Sequence, residues 1–338
     1  MTTTLLMSEI LAATVLCMVL IVLLRPLLIR YALARPNARS SHKIPTPQGG
    51  GIAVVAATLV VAMAAATLPP FSHPIGSDLG LLAAATVLLA ALGAIDDVHP
   101  LGVSLRLGIQ LVAVALLTAT LPPDAPILGI WPDGIERVLV VVAGMWFVNL
   151  VNFMDGLDWM TVVEVVPITA ALSAMGLLGY LPWQDTVISL ALCGATLGFA
   201  FFNRPVAKLF LGDVGSLPIG LLLGWLLLLL AGSSGPVAAM LLPLYYLADS
   251  TITLLRRAAN RETLWQAHRS HFYQRATERG FRVIDVVARV LVVNLVLAAL
   301  ALATILLPSR TTDITALTAG AAIVARLLVV FERGPTRS

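Results

Sequence analysis

Long apolar runs alternate with short polar breaks along this chain, and a helix needs about 20 apolar residues to cross the hydrocarbon of a bilayer. Breaking the runs at proline, glycine and charge clusters predicts eleven spanning helices. They cover residues 5–24, 49–68, 79–95, 104–121, 137–153, 160–180, 186–203, 216–231, 236–255, 284–307 and 314–331. The fold class read from this pattern is all-α, a polytopic integral membrane protein in which residues 1–338 form a single domain.

Composition agrees with the pattern. Of the 338 residues, 59% are hydrophobic and 12% charged, outside the range of soluble domains. The first run has no basic residue before it and no small-residue cleavage pattern after it, so it reads as a span and not a signal peptide. Cys17 and Cys193 sit in different apolar runs, which argues against a disulfide or a cysteine metal site.

The placement of positive charge gives an orientation. Arg25, Arg30, Arg35, Arg39 and Lys43 fill the first connection, and Arg256, Arg257, Arg261, Arg269, Arg275, Arg279 and Arg282 the ninth. Cytoplasmic loops are enriched in Lys and Arg. Eleven spans put both clusters on that side, together with Arg204, Lys208, Arg333 and Arg337. The N-terminus is then outside and the C-terminus cytoplasmic, whereas ten spans would break the charge pattern. Loops 25–48, 96–103, 154–159, 204–215 and 256–282 share the cytoplasmic edge.

Those loops carry the candidate chemistry. Asn149, Asn152 and Asp155 recur every third position, so on a continuous helix they share one broad face. Gly156 is placed to end that helix, and Asp158 follows in a loop at the water boundary, able to turn back toward the same site. The adjacent carboxylates Asp96 and Asp97 repel each other unless a cation intervenes, and Mg²⁺ is the economical choice. A solvated helix end explains that pair equally well taken alone. In Phe210–Ser216, Gly212 and Gly215 allow tight backbone geometry around Asp213, and Ser216 is placed to cap the next helix beside an anion. His268 and His271, three apart, could meet phosphate beside Arg269. Lys43, with Arg39 and His42, precedes Gly49-Gly50-Gly51, which reads as a basic, Gly-rich anion corner. Arg106 fits either a lipid phosphate or a topology signal. A site at the membrane edge suits a reaction between a water-soluble and a membrane-held compound; a carrier more often places its ionisable residues at the midplane.

Taken in order and on one membrane side, these motifs resemble the polyprenyl-phosphate N-acetylhexosamine-1-phosphate transferase family. The resemblance rests on Gly49-Gly50, Asp96-Asp97, Asn149-x-x-Asn152-x-x-Asp155-Gly156-x-Asp158, Phe210-Leu211-Gly212-Asp213-x-Gly215-Ser216 and His268-x-x-His271. It implies transfer of a sugar phosphate from a UDP-N-acetylhexosamine to undecaprenyl phosphate, with release of UMP, at the cytoplasmic face of the bacterial inner membrane. It also implies Mg²⁺, with Mn²⁺ as a substitute, and permits a homodimer; no nucleic acid is involved. Asp213 would be the main metal ligand with Asp96 or Asp97 assisting, and catalysis falls to these three with His268 and His271. Asn152, Asp155 and Asp158 would hold the nucleotide, and Lys43, Asn149, Gly156 and Arg269 complete the substrate-binding set.

Two departures stand out. Trp159 occupies a position where the family commonly has Gly, which questions the shape of that loop. The run His268-Arg269-Ser270-His271 lacks the triple histidine of the peptidoglycan branch, which favours the O-antigen-initiating branch. A phospho-MurNAc-pentapeptide transferase and a secondary transporter are the alternative readings; the Asp-Gly-x-x-Ala-Arg run of CDP-alcohol phosphatidyltransferases is not found.

Overall fold

A computed structural model describes residues 2–34, 45–67, 77–121, 131–233, 235–263 and 268–335. The elements are α1 (Thr2–Tyr31), β1 (Leu33–Ala34), β2 (Thr46–Pro47), α2 (Gly51–Thr67), α3 (Ser77–Val98), α4 (Val103–Thr120) and α5 (Asp133–Met154). Then follow α6 (Met160–Leu177), α7 (Trp183–Asn203), α8 (Asp213–Gly232), α9 (Pro236–Leu241), α10 (Leu244–Ala259), α11 (Phe272–Glu278), α12 (Val283–Leu306) and α13 (Arg310–Arg333). The fold is all-α and polytopic. Among the described residues, nine helices are long and apolar enough to cross a membrane, and α2 is a shorter apolar helix of 17 residues.

Ten of the eleven expected spans coincide with one helix each. The ninth, 236–255, does not: it is broken into the six-residue α9 and the sixteen-residue α10, with Pro243 between them. Proline lacks the N–H that would continue the helix. At about 1.5 Å per residue neither piece spans alone. The faces of α10 are also reversed relative to a water-soluble amphipathic helix. Its buried stripe, Tyr245, Asp249, Thr253 and Arg257, repeats every four residues and is polar, while Ile252 and Leu255 face outward. Such a helix presents hydrocarbon to lipid and polar groups to the protein. The basic segment 256–282 is, where described, the end of α10, a loop and the short α11.

Three helices, α6, α7 and α8, are buried over most of their length, while α1, α4 and α5 expose most of theirs. The first two pack on each other; α7 also meets α1 and α2, and α8 lies against α3 and α5. A polar clamp holds α12 to α6, Asn294 Nδ2 donating to Glu164 Oε2 (2.6 Å) and to the Val163 carbonyl (2.9 Å). All three residues are buried.

The Gly49–Gly51 corner has a different use from the one its sequence suggests. The Gly50 and Gly51 N–H groups donate to the Phe210 and Leu211 carbonyls at 2.9 Å, and a Cβ on Gly51 would overlap the Gly215 backbone. The corner therefore joins the start of α2 to the start of α8, and those two donors are not left for an anion. Lys43, Arg39 and His42 lie outside the described residues.

This close approach makes a stability prediction. Gly51→Ala should lower the apparent Tm of the purified protein, by a destabilisation of roughly 1–3 kcal/mol or more for overpacking. Gly80→Ala should have almost no effect, because nothing lies within 4 Å of its added methyl. Equal thermal unfolding curves for the two variants would contradict the α2–α8 contact.

Candidate active site

The end of α3, the end of α5 and the start of α8 meet at one edge of the bundle. Helix α8 begins after Gly212, whose φ of 78° is a left-handed value that glycine tolerates, and the first N–H groups of a helix lack internal partners. Asp97, from α3, supplies them: its Oδ1 accepts from the Asp213 N–H (2.9 Å) and its Oδ2 from the Val214 N–H (3.1 Å). Gly93 lets α3 come this near, since a Cβ there would overlap the Asp213 carbonyl. Ser216, expected to cap α8, lies one turn inside it, and its Oγ accepts from Asn152 Nδ2 (2.8 Å).

The Asp213 carboxylate is held from two sides. Asn152 Nδ2 donates to Oδ1 at 2.7 Å, and the Arg106 guanidinium, from α4, lies 3.5 Å from Oδ2. The other arm of Arg106 pairs with Asp96 Oδ2 at 2.8 Å, while Asp96 Oδ1 accepts the Leu101 N–H at 2.6 Å. Asp155, the C-cap of α5, accepts the Thr161 hydroxyl. Burial pushes the Asp155 carboxyl up to about 8; the Asp213, Asp97 and Asp158 carboxylates add to the rise, and the Thr161 hydroxyl opposes it. Asp96, Asp97, Asp155 and Asp213 thus gather on one patch with Arg106 among them. Among the described residues no three His, Cys, Asp or Glu side chains form a closed metal cage.

Two members of the Asn-Asp run are used elsewhere. Asn149 Nδ2 donates to Gln110 Oε1 of α4 (2.7 Å) and to the Met145 carbonyl (2.8 Å), so it ties α5 to α4 and does not join Asp213. Asp158 is buried, not at a water boundary, and its Oδ2 accepts the Ala207 N–H (3.0 Å). It secures the loop between α7 and α8. Beside it, Trp159 takes φ 64°, the left-handed value that suits the glycine of the related motif. Its N–H donates to Asn203 Oδ1 (2.8 Å) and its indole N–H to the Ala200 carbonyl (2.7 Å). The tryptophan keeps the loop shape and bolts it to α7.

The histidines lie in the loop that leads to α11, His271 as its N-cap. His271 is 2% exposed; its Nδ1 lies 3.2 Å from Asp249 Oδ1 of α10, and its ring stacks on His268 at a centroid distance of 4.9 Å. Burial, then the neighbouring His271 and Arg257, lowers His268 to about 4, so it is uncharged at neutral pH. Arg269 lies 3.5 Å from Glu278 Oε1. The two halves of the site are joined by Tyr273, whose hydroxyl donates to the Phe153 carbonyl (3.0 Å) and packs so closely on Gly156 that a Cβ there would overlap it.

Sequence reasoning missed Asp249 and undervalued Arg106. Both lie inside apolar runs predicted to span, 236–255 and 104–121, and an ionisable residue in such a run defaults to a functional reading. That signal was present at both positions.

The comparisons with known proteins agree with this geometry. Residues 79–231 match the family model described as glycosyl transferase family 4. The decaprenyl-phosphate N-acetylglucosaminephosphotransferase of Mycolicibacterium smegmatis is 28% identical, over 92% of this chain and 85% of its own length. A probable undecaprenyl-phosphate N-acetylglucosaminyl 1-phosphate transferase of Bacillus subtilis is 25% identical, over 81% and 79%. A phospho-N-acetylmuramoyl-pentapeptide-transferase of Streptococcus pneumoniae is 28% identical but over only 53% and 57%. The segment that is similar to glycosyl transferase family 4 holds Asp96, Asp97, the Asn-Asp run and Asp213.

Proposed function

We propose that this membrane protein transfers an N-acetylhexosamine 1-phosphate from a UDP-sugar to undecaprenyl phosphate, releasing UMP. The observation that carries the reading is the Asp213 carboxylate, fixed at the start of α8 between Asn152 and Arg106 and beside Asp96, Asp97 and Asp155. The coverage of the Mycolicibacterium smegmatis and Bacillus subtilis relatives, greater than that of the Streptococcus pneumoniae one, supports the N-acetylglucosamine branch over the muramoyl-pentapeptide one. The site is read as facing the cytoplasm of a bacterial inner membrane, on the strength of the Arg and Lys distribution.

In the reaction an oxygen of the lipid phosphate attacks the β-phosphorus of the UDP-sugar. The new P–O bond forms as the bond from that phosphorus to the bridging oxygen breaks, and the bridging oxygen leaves with UMP. A phosphate monoester is mostly dianionic at pH 7, its second pKa being about 6, so the nucleophile needs no proton removed. The protein's task is to bring two polyanions together and balance their charge. Mg²⁺ fits this cluster, because it takes oxygen ligands and commonly uses one or two carboxylates plus substrate phosphates instead of a full protein cage. Asp213 would be its main ligand, with Asp96 and Asp97 adding negative charge beside it; bound there, the ion would neutralise charge on the diphosphate oxygens. Arg106 bridges the Asp96 and Asp213 carboxylates, Asn152 orients Asp213, and Asp155 faces the nucleotide. His268, neutral, and His271 address the diphosphate by hydrogen bonding.

Three outcomes are expected. Purified protein given undecaprenyl phosphate and a panel of UDP-N-acetylhexosamines should release UMP only when both substrates are present. Uptake of solute into sealed vesicles with no UMP release would instead support a transporter. Excess EDTA should abolish the activity and Mg²⁺ or Mn²⁺ restore it; full activity in chelator would remove the metal. Asp213→Asn should lower kcat by orders of magnitude, while Asp155→Asn should also weaken UDP-sugar binding. Near-normal turnover of the Asp213 variant would take this residue out of the metal site.

A topology experiment completes the set. Single cysteines at Ser309 and Pro335 bracket α13, a helix of 24 residues, and should be labelled from the outside and the cytoplasmic side respectively. Labelling of Pro335 from outside intact cells would overturn the cytoplasmic site.

A further inference from the structure

Asp249 stands apart from the phosphate-facing cluster. It is fully buried in α10, and apart from His271 Nδ1, whose role depends on its tautomer, the groups that meet its oxygens are donors. Its Oδ1 meets the Phe272 N–H at 3.0 Å, His271 Nδ1 at 3.2 Å and the Thr253 hydroxyl at 3.4 Å; its Oδ2 meets the Tyr245 hydroxyl and the Tyr273 N–H, both at 3.2 Å. An ionised carboxylate only accepts, so the imidazole nitrogen facing it must carry a proton. The ring is also fixed in rotation, between His268 at 4.9 Å and Tyr273 at 5.7 Å, with Phe153 at 6.5 Å.

We propose that Asp249 is a positioning residue for the transfer: it holds His271 protonated on Nδ1 and fixed in place, which leaves Nε2 as the ring nitrogen for substrate. A helix-capping role alone needs only the two backbone N–H contacts. The bond to Nδ1 goes beyond it and resembles in logic the carboxylates that orient a ring nitrogen in other sites. The break at Pro243 gives the arrangement its geometry, since α10 starts anew there and turns its polar stripe toward α11. Asp249 touches no substrate; it acts through His271. The catalytic part of the inference rests on the transferase reading, whereas the tautomer does not.

The test combines a spectroscopic and a kinetic arm on the full chain in lipid bilayers. The chain has five histidines, so ring-¹⁵N-histidine labelling gives few signals, and His271→Gln identifies the one in question. The wild type should show His271 protonated on Nδ1. Asp249→Ala should lose that preference. Asp249→Asn should lower kcat by about 10²–10⁴-fold, the range of a general acid–base contribution, with KM for the UDP-sugar within about twofold. Asp249→Glu should recover part of the loss.

An Nε2-protonated His271 in the wild type would overturn the proposal, as would an unchanged His271 signal in Asp249→Ala. Wild-type kcat in a folded Asp249→Asn variant would also overturn it. If Asp249→Ala fails to fold, the wild-type spectrum and the Asn and Glu variants still decide. If no UMP is released by any form, the transferase reading fails and the tautomer result stands by itself.

Discussion

A carboxylate from one helix satisfying the first N–H groups of another is the interaction on which the site depends. Asp97 of α3 does this for α8, and Asp249 of α10 does it for α11. Near a bilayer an orphaned backbone N–H is expensive. A hydrogen bond to a charged acceptor contributes about 1.5–3 kcal/mol. The partner must come from outside the helix here, because neither α8 nor α11 has a side-chain cap of its own. The result is more than stability. Each such bond sets the register of one helix against another and so places the residues carried at that register, Asp213 in one case and His271 in the other, where Asn152 with Arg106 and the flanking rings hold them. Asp158 acts in the same way on the loop that leads to α8, through the Ala207 N–H.

The helices were legible because hydrocarbon leaves so few choices: a run of apolar residues near a membrane must bond its backbone internally, and the run lengths gave ten of the expected spans. The ninth is broken into α9 and α10, and composition conceals the break. In its α10 part the buried stripe is polar while Ile252 and Leu255 face outward, so an average over the window resembles any other span. Within the site, the residue types were legible and several duties were not. Gly50 and Gly51 looked like donors for an anion, and their N–H groups are spent on Phe210 and Leu211. Asp158 and Asn149 looked like ligands and act as fasteners. Spacing shows that side chains can share a face; it does not show which neighbour will claim them first. Trp159 makes the complementary point, since a residue that costs more than glycine in a left-handed conformation is retained there by two hydrogen bonds to α7.

Charge placement links this architecture to chemistry. Four carboxylates and one guanidinium crowd the end of α3, α5 and α8, an arrangement that would be unfavourable without added cations or polarised donors. The two other elements of the site, the start of α11 and the histidines before it, bring hydrogen-bonding groups of the opposite preference to the same edge, tied in through Tyr273 and Gly156. One side is thus suited to cations and the other to phosphate, which is the division of labour needed when a nucleotide diphosphate meets a lipid phosphate.

Asp97, which accepts the Asp213 N–H, is placed to serve the proposed transfer through Asp213. Kinetics of Asp97→Asn, Asp213→Asn and the double variant, on protein with matched size-exclusion profiles, test it most directly. If Asp97 acts through Asp213, the two effects overlap: Asp97→Asn alone lowers kcat, and adding it to Asp213→Asn costs almost nothing more. A double variant slower than Asp213→Asn by the full factor of the Asp97 change would show two independent roles, and wild-type turnover of Asp97→Asn would show none.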